Sequence, residues 1–298
     1  MRILVTGVSG FLGSVCAELL IERPATSITA LRSATRPWRL SRRIAEVVTP
    51  DDLSPQALKV LLNPIAPTHI LHCGALSSVE LCERDPALAS RWNWRFTDML
   101  ARFASDSGAH LTTVSTDLVF DGTKAPKGGL TEEAPAAPLS EYARSKYAAE
   151  QTTLSLSRSA VVRVSLLYGH SSSPSAGVLG WMERSLKERA RLPLFEDEFR
   201  TPIHVRDAAT ALLEVVTKEA RGIWHCGGPE RLSRVEFGIE VATSLGHDAS
   251  LITKASRLGH TVAPARPEDV SLSSKKLSLF LGREALSVRE ALTKYARL

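Results

Sequence analysis

The chain reads as an α/β protein, a doubly wound parallel sheet with a smaller C-terminal lobe, and three observations predict it. Short apolar, β-rich runs alternate with longer segments of helical periodicity, a pattern that demands crossover connections and so a mostly parallel sheet. The glycine-rich stretch GVSGFLG at 7–13 stands directly between the first such run and the first helical pattern. After Gly169 the alternation loosens into the Ser-, Pro- and Gly-rich GHSSSPSAG.

Taken in order, RILVTG is a strand ending in glycine, and FLGSVCAELLIER follows with Leu12, Val15, Cys16, Leu19 and Leu20 at helical spacing. SITALR, THILHCGA, HLTTVSTD and SAVVRVSLLYG are further strands, separated by helical segments such as ALASRWNWRFTDMLARFASDSG. Residues 1–169 therefore form one expected body, with a return segment near 204–226, and residues 170–298 mainly a smaller second lobe. In that lobe SRVE at 233–236 predicts a capping box, Ser233 and Glu236 each satisfying a free amide at a helix start.

Composition narrows the function classes. The 298 residues are 44% hydrophobic and 23% charged, an ordinary globular balance with enough chain for two lobes. The N-terminus carries no secretory pattern and no apolar run approaches a bilayer span, so a cytoplasmic protein without a membrane partner is expected. Cys16, Cys73, Cys82 and Cys226 are scattered without a Cys-x-x-Cys pair, which fits a reducing compartment and argues against a zinc site. His69 and His72 fall three apart in a strand, where alternation sends them to opposite faces, so no metal site is expected there. The net charge of +5 permits a nucleic-acid partner without requiring one.

The glycine stretch is the first motif with chemistry. Gly7, Gly10 and Gly13 fall where a pyrophosphate would sit in a Rossmann-type strand-turn-helix, although a plain tight turn would use the same residues. An acid at the end of the second strand would select NAD(H). The sequence has Arg32 there, then Ser33, Arg36 and Arg39, so NADP(H) is preferred, with NAD(H) left open. A solvated basic loop, or a nucleic-acid patch with Trp38 as a stacking residue, is the competing reading; the phosphate turn beside it favours the cofactor, and no nucleic-acid partner is expected.

GVSGFLG, HCGA at 72–75, STDLVFDG at 115–122, EYARSK at 141–146 and VRVSLLYG at 162–169 occur together in one order. In that order the chain resembles the extended short-chain dehydrogenases/reductases, most closely the dTDP-4-dehydrorhamnose reductase branch. FRTPIHVRDAA at 199–209 and RPEDVSLSSKKL at 266–277 extend the likeness across nearly the whole length. The same branch includes the regulatory β subunit of methionine adenosyltransferase.

That resemblance implies an NADPH-dependent reduction of a keto group on a nucleotide-sugar-like small molecule. Tyr142 would be the proton donor, and Lys146, one helical turn on, would supply the charge a phenol of pKa near ~10 needs, while also holding the nicotinamide ribose. Thr116 would hydrogen-bond the carbonyl; strand alternation turns the neighbouring Ser115 away. By the same resemblance Ser9, Phe11 and Leu12 offer amides to phosphate, Asp51 or Asp52 meets adenine, Cys73, Gly74 and Ala75 lie under the cofactor, Leu167 nears the nicotinamide, and Asn93 supports the active-site backbone. Asp117, Leu118, Leu166, Trp181 and Arg200 are the candidate substrate contacts. Three positions depart from the family pattern: Ala143 replaces a glycine, Leu118 a tyrosine and Leu166 a tryptophan. A non-catalytic NADP-binding regulatory subunit and a nucleotide-sugar epimerase or dehydratase are the alternatives, and a homodimer is left open.

Overall fold

The computed structural model describes residues 1–33, 44–49, 54–123, 125–173, 177–258 and 266–295. Arg36, Trp38, Arg39, Asp51 and Asp52 lie outside the described residues.

The chain runs β1 (Arg2–Thr6), α1 (Phe11–Ile21), β2 (Ser27–Ser33), β3 (Ala45–Thr49), α2 (Pro55–Leu62) and β4 (His69–His72). The long helical pattern that follows is split into α3 (Val79–Arg84), α4 (Pro86–Ala89), a π-helical turn over Ser90–Arg95, and α5 (Phe96–Ser107). Then come β5 (His110–Thr116), α6 (Glu141–Leu154), β6 (Ser159–Val164), β7 (Leu167–Tyr168), α7 (Gly177–Lys187), β8 (Leu192–Phe195), β9 (Phe199–Arg200) and β10 (Ile203–His204). The chain closes with α8 (Val205–Thr217), β11 (Gly222–Cys226), β12 (Leu232–Ser233), α9 (Arg234–Ser244), β13 (Ile252–Ala255), α10 (Lys275–Leu281) and α11 (Val288–Tyr295).

The central sheet has seven strands in the order β11-β6-β5-β4-β1-β2-β3, every pairing parallel. Its order reverses beside β1, which leaves the crevice for a ligand at the carboxyl ends of β1 and β4. Alternation along β1 decides which side chain goes where: Ile3 and Val5 join the core beneath α1 and α8, while Leu4 joins the core beneath α2 and α5. Leu20, Leu212 and Val216 complete the first layer, and Leu58, Leu62 and Leu100 the second. Each such side chain contributes roughly 1.5–3 kcal/mol through burial.

Beyond β6 a separate core forms around Tyr168, Leu179, Met182, Phe237, Val241 and Leu292. Pairs β8–β13, β9–β12 and β7–β10 frame it. The return of α8 and β11 to the main sheet places Gly222 beside Ala160 and Cys226 beside Val164. The capping box opening α9 forms as read from SRVE, Ser233 Oγ accepting from Glu236 N and Glu236 Oε2 from Ser233 N. Among the described residues no helix is long and apolar enough to cross a membrane.

Candidate functional site

The glycine turn is built by close approach. Gly7 has φ +70°, and a Cβ there would stand 2.5 Å from Gly74 N, so only glycine lets β1 and β4 converge at their ends. A Cβ on Gly13 would lie 2.2 Å from Gly7 O, which keeps α1 tight against the turn. Gly10 is the N-cap of α1 and no side chain caps the helix, nor does its first turn carry an acid. The leading amides of α1, over Phe11 and Leu12, thus face a cradle suited to a diphosphate. Ser9 O accepts a 2.9 Å hydrogen bond from Ser173, so the 169–173 segment meets the turn from the other lobe.

At the end of β2, Arg32 Nε donates to Glu46 Oε2 on β3 at 2.9 Å. The guanidinium is thus held in an ion pair across the two strands, which any anion bound there would have to share. Ser33 closes the same strand. Cys73, Gly74 and Ala75 follow β4 at half-buried positions beside the turn, and Leu167 sits in β7.

Thr116 ends β5, and its Oγ1 accepts from Leu118 N at 3.2 Å and donates to Asp117 Oδ1 at 3.2 Å. Ser140 caps α6 by accepting from Ala143 N, and the helix then carries Tyr142 in its first turn and Lys146 in its second. Burial first, and the Asp117 carboxylate second, hold the Tyr142 phenol well above its ordinary range, against a hydrogen bond with Thr116. Lys146 is only 3% exposed, and burial pulls its ammonium down to about 8 while the carboxylate of Glu150 and the thiol of Cys73 pull it back up. Ser115 Oγ points away into the interior, with no hydrogen-bond partner among the described residues.

Asn93 sits in the π-helical turn, fully buried. Its Oδ1 accepts from Leu76 N at 2.7 Å, and its Nδ2 donates to Leu76 O at 3.2 Å and to Ser145 Oγ at 2.9 Å. The widened turn delivers this side chain between the loop after β4 and α6, which a regular helix through 86–107 would not do.

A cavity of about 760 Å³ opens between the two lobes above these groups. Thr116, Asp117, Leu118, Tyr142, Leu166, Leu167 and Arg200 line it. Trp181 does not: it is 41% exposed on the outer side of α7, because Leu179 and Met182 take the inward face. The far wall holds what sequence reasoning missed. Glu198 is buried and meets Arg200 Nη2 at 3.2 Å, Arg266 Nη1 at 3.3 Å and Arg234 Nε at 3.9 Å. Arg200 Nε also reaches Asp117 Oδ2 at 3.6 Å, and Ser165 Oγ donates to the same oxygen at 2.9 Å. Burial lowers Arg234 to about 10 and pushes the Asp117 carboxyl upward. Arg234 was hidden inside the capping box SRVE, whose cap explained the segment fully; Arg266 lay in RPEDVSL, whose charge alone gave no address.

With this geometry in view, the relatives can be compared. A probable low-salt glycan biosynthesis reductase, Agl14, of Haloferax volcanii is 27% identical over 285 residues, covering 95% of this chain and 93% of that protein. Methionine adenosyltransferase 2 subunit beta of Xenopus laevis is 28% identical over 278 residues, covering 90% of this chain and 79% of its own length. The crystal structure of a dTDP-4-dehydrorhamnose reductase from Clostridium acetobutylicum superposes with a TM-score of 0.82 at 26% identity, covering 99% of this chain and 98% of that one. The family model of the RmlD substrate-binding domain matches residues 1–297, and the chain belongs to that family.

Proposed function

We propose that the protein is an NADPH-dependent reductase of a keto group on a nucleotide-sugar-like substrate, with Thr116, Tyr142 and Lys146 as its catalytic residues. The observation that carries this reading is that Thr116 and Tyr142 line one side of a cavity whose opposite wall is an arginine cluster, with Lys146 buried one helical turn on from Tyr142. A bound reduced nicotinamide would supply hydride to the carbonyl carbon. Tyr142 gives its hydroxyl proton to the carbonyl oxygen, and its raised pKa keeps that proton in place beforehand. On substrate binding the Thr116 Oγ1 hydrogen turns from Asp117 Oδ1 to the carbonyl oxygen, and Lys146 holds the nicotinamide ribose. Gly7, Ser9, Gly10, Phe11, Leu12 and Gly13 hold the diphosphate, and Arg32 with Ser33 the 2′-phosphate. Arg200, Arg234 and Arg266 present guanidinium groups to the substrate's own diphosphate, with Asp117, Leu118 and Leu166 nearer the sugar.

The test is a panel of 4-keto nucleotide sugars with NADPH oxidation followed by absorbance. Turnover of one member supports the reading. A second reading, a cofactor-binding subunit without turnover, draws on the similarity to methionine adenosyltransferase 2 subunit beta; NADPH binding with silence across the panel favours it. Turnover of a 4-hydroxy sugar with retained NADP⁺ points instead to an epimerase or dehydratase.

A further inference from the structure

His72 has no assigned part in the site, yet its two ring nitrogens bridge Thr6 at the end of β1 and Thr97 on α5. Its Nδ1 is 2.6 Å from Thr6 Oγ1 and its Nε2 is 3.0 Å from Thr97 Oγ1. Thr6 Oγ1 also accepts from Gly74 N at 3.2 Å, and Thr97 Oγ1 donates to Asn93 O at 2.8 Å.

The proton positions follow from counting. A hydroxyl has one hydrogen, and Thr97 commits its own to the Asn93 carbonyl, so Thr97 Oγ1 must accept from His72 Nε2–H. The ring is fully buried, and burial, with the charge of Lys146 adding to it, lowers its pKa to about 3, so it carries a single proton. Nδ1 is therefore an acceptor and Thr6 Oγ1–H donates to it. That leaves Thr6 Oγ1 free to accept from Gly74 N–H, as its 3.2 Å contact requires. One polarity thus runs from Gly74 N–H through Thr6, His72 and Thr97 to Asn93. Asn93 carries the connection on through Nδ2 to Ser145 Oγ, which donates to Tyr142 O at 2.8 Å. Each link satisfies a buried group, and loss of one leaves its neighbours unpaired.

We propose that His72, in its Nε2–H form, is a positioning residue that locks the cofactor turn at Gly74 and the first turn of α6 at Tyr142 into one register, with Thr6 and Thr97 as its two hydroxyl contacts. The inference rests on the reading of the glycine turn as a dinucleotide site, and it predicts that the two ends respond together.

Substituting His72 itself risks misfolding, so the test uses its hydroxyl partners. Thr6→Val and Thr97→Val keep shape and remove a hydroxyl; Thr6→Ser and Thr97→Ser keep the hydroxyl. NADPH affinity is measured by fluorescence for each variant and for the Thr6→Val/Thr97→Val pair, beside amide hydrogen exchange of the peptide spanning Tyr142 to Lys146 in the cofactor-free protein. Each Val variant is expected to weaken NADPH binding about fivefold. Each should also speed exchange at Tyr142–Lys146, the serine variants should recover both properties, and the double variant should be little worse than either single one because the chain is already broken. The proposal is overturned if the two Val effects multiply, if serine fails to rescue, or if exchange around Tyr142 is indifferent to Thr6. Failure of the wild-type protein to bind any nicotinamide dinucleotide would instead refute the reading of the turn, and the exchange measurement would still decide the role of His72.

Discussion

The two walls of the cavity are held in different ways. On the sheet side the polar contacts run through hydroxyls, amides and a neutral imidazole, Thr6, His72, Thr97, Asn93 and Ser145, each with its partners fixed. On the lobe side the contacts are ionic, with three arginines sharing the one Glu198 carboxylate. Neutral hydrogen bonds are directional and fix atoms in place; charges at 3–4 Å are worth much when buried and can be re-paired by an incoming anion. The first wall is suited to holding reacting groups in register, and the second to receiving a charged substrate.

The largest expected effect tests the first wall. Tyr142→Phe keeps the ring and removes the proton, so turnover on a confirmed substrate should fall by ~10²–10⁴-fold with cofactor affinity nearly retained. Wild-type turnover in that variant would break the catalytic reading and strengthen the subunit reading.

Next comes the second wall. Glu198→Ala leaves Arg200, Arg234 and Arg266 facing one another without their shared carboxylate, at a cost of about 3–5 kcal/mol to folding stability. Added nucleoside diphosphate should restore part of that stability, and more in the variant than in the wild type. Denaturant titration with and without the nucleotide measures both, and equal gains in the two proteins would contradict the proposed diphosphate subsite.

Arg32→Asp should narrow or reverse the preference for NADPH over NADH. A charge-assisted phosphate contact is worth about 1.5–3 kcal/mol. The net change should lie toward the lower figure, because Arg32 gives up part of its pairing with Glu46 to make it. Calorimetry with both cofactors checks this, and equal wild-type affinities would remove the preference.

The smallest effect is a pH dependence. Lys146 titrates at about 8 in the cofactor-free protein, mainly through burial, with Glu150 and Cys73 opposing. Its ammonium is present below that pH and lost above it, so NADPH affinity should fall as pH rises through 8, and Lys146→Met should flatten the profile. The sign for stability is the reverse. The unfolded chain keeps this proton up to about 10.4, so burying the charge destabilises the fold at neutral pH, and that cost is relieved as pH rises from 8 toward 10.4.

Much of this molecule is local in its causes and was therefore legible in sequence. The strand and helix periods fix β1, α1, β4, β5 and α6, the close approach of Gly13 to Gly7 is made within the turn itself, and the Ser233/Glu236 cap closes within four residues. The spacing of Tyr142 and Lys146 likewise follows from a single helix. Tertiary structure alone decided the rest, because it depends on groups far apart in the chain. It put Trp181 outside the cavity, gathered Glu198, Arg234 and Arg266 into one wall, and broke the helix before α5 to aim Asn93 at Leu76 and Ser145. Spacing places side chains on one face of one element, whereas burial and charge pairing are properties of what several elements enclose between them.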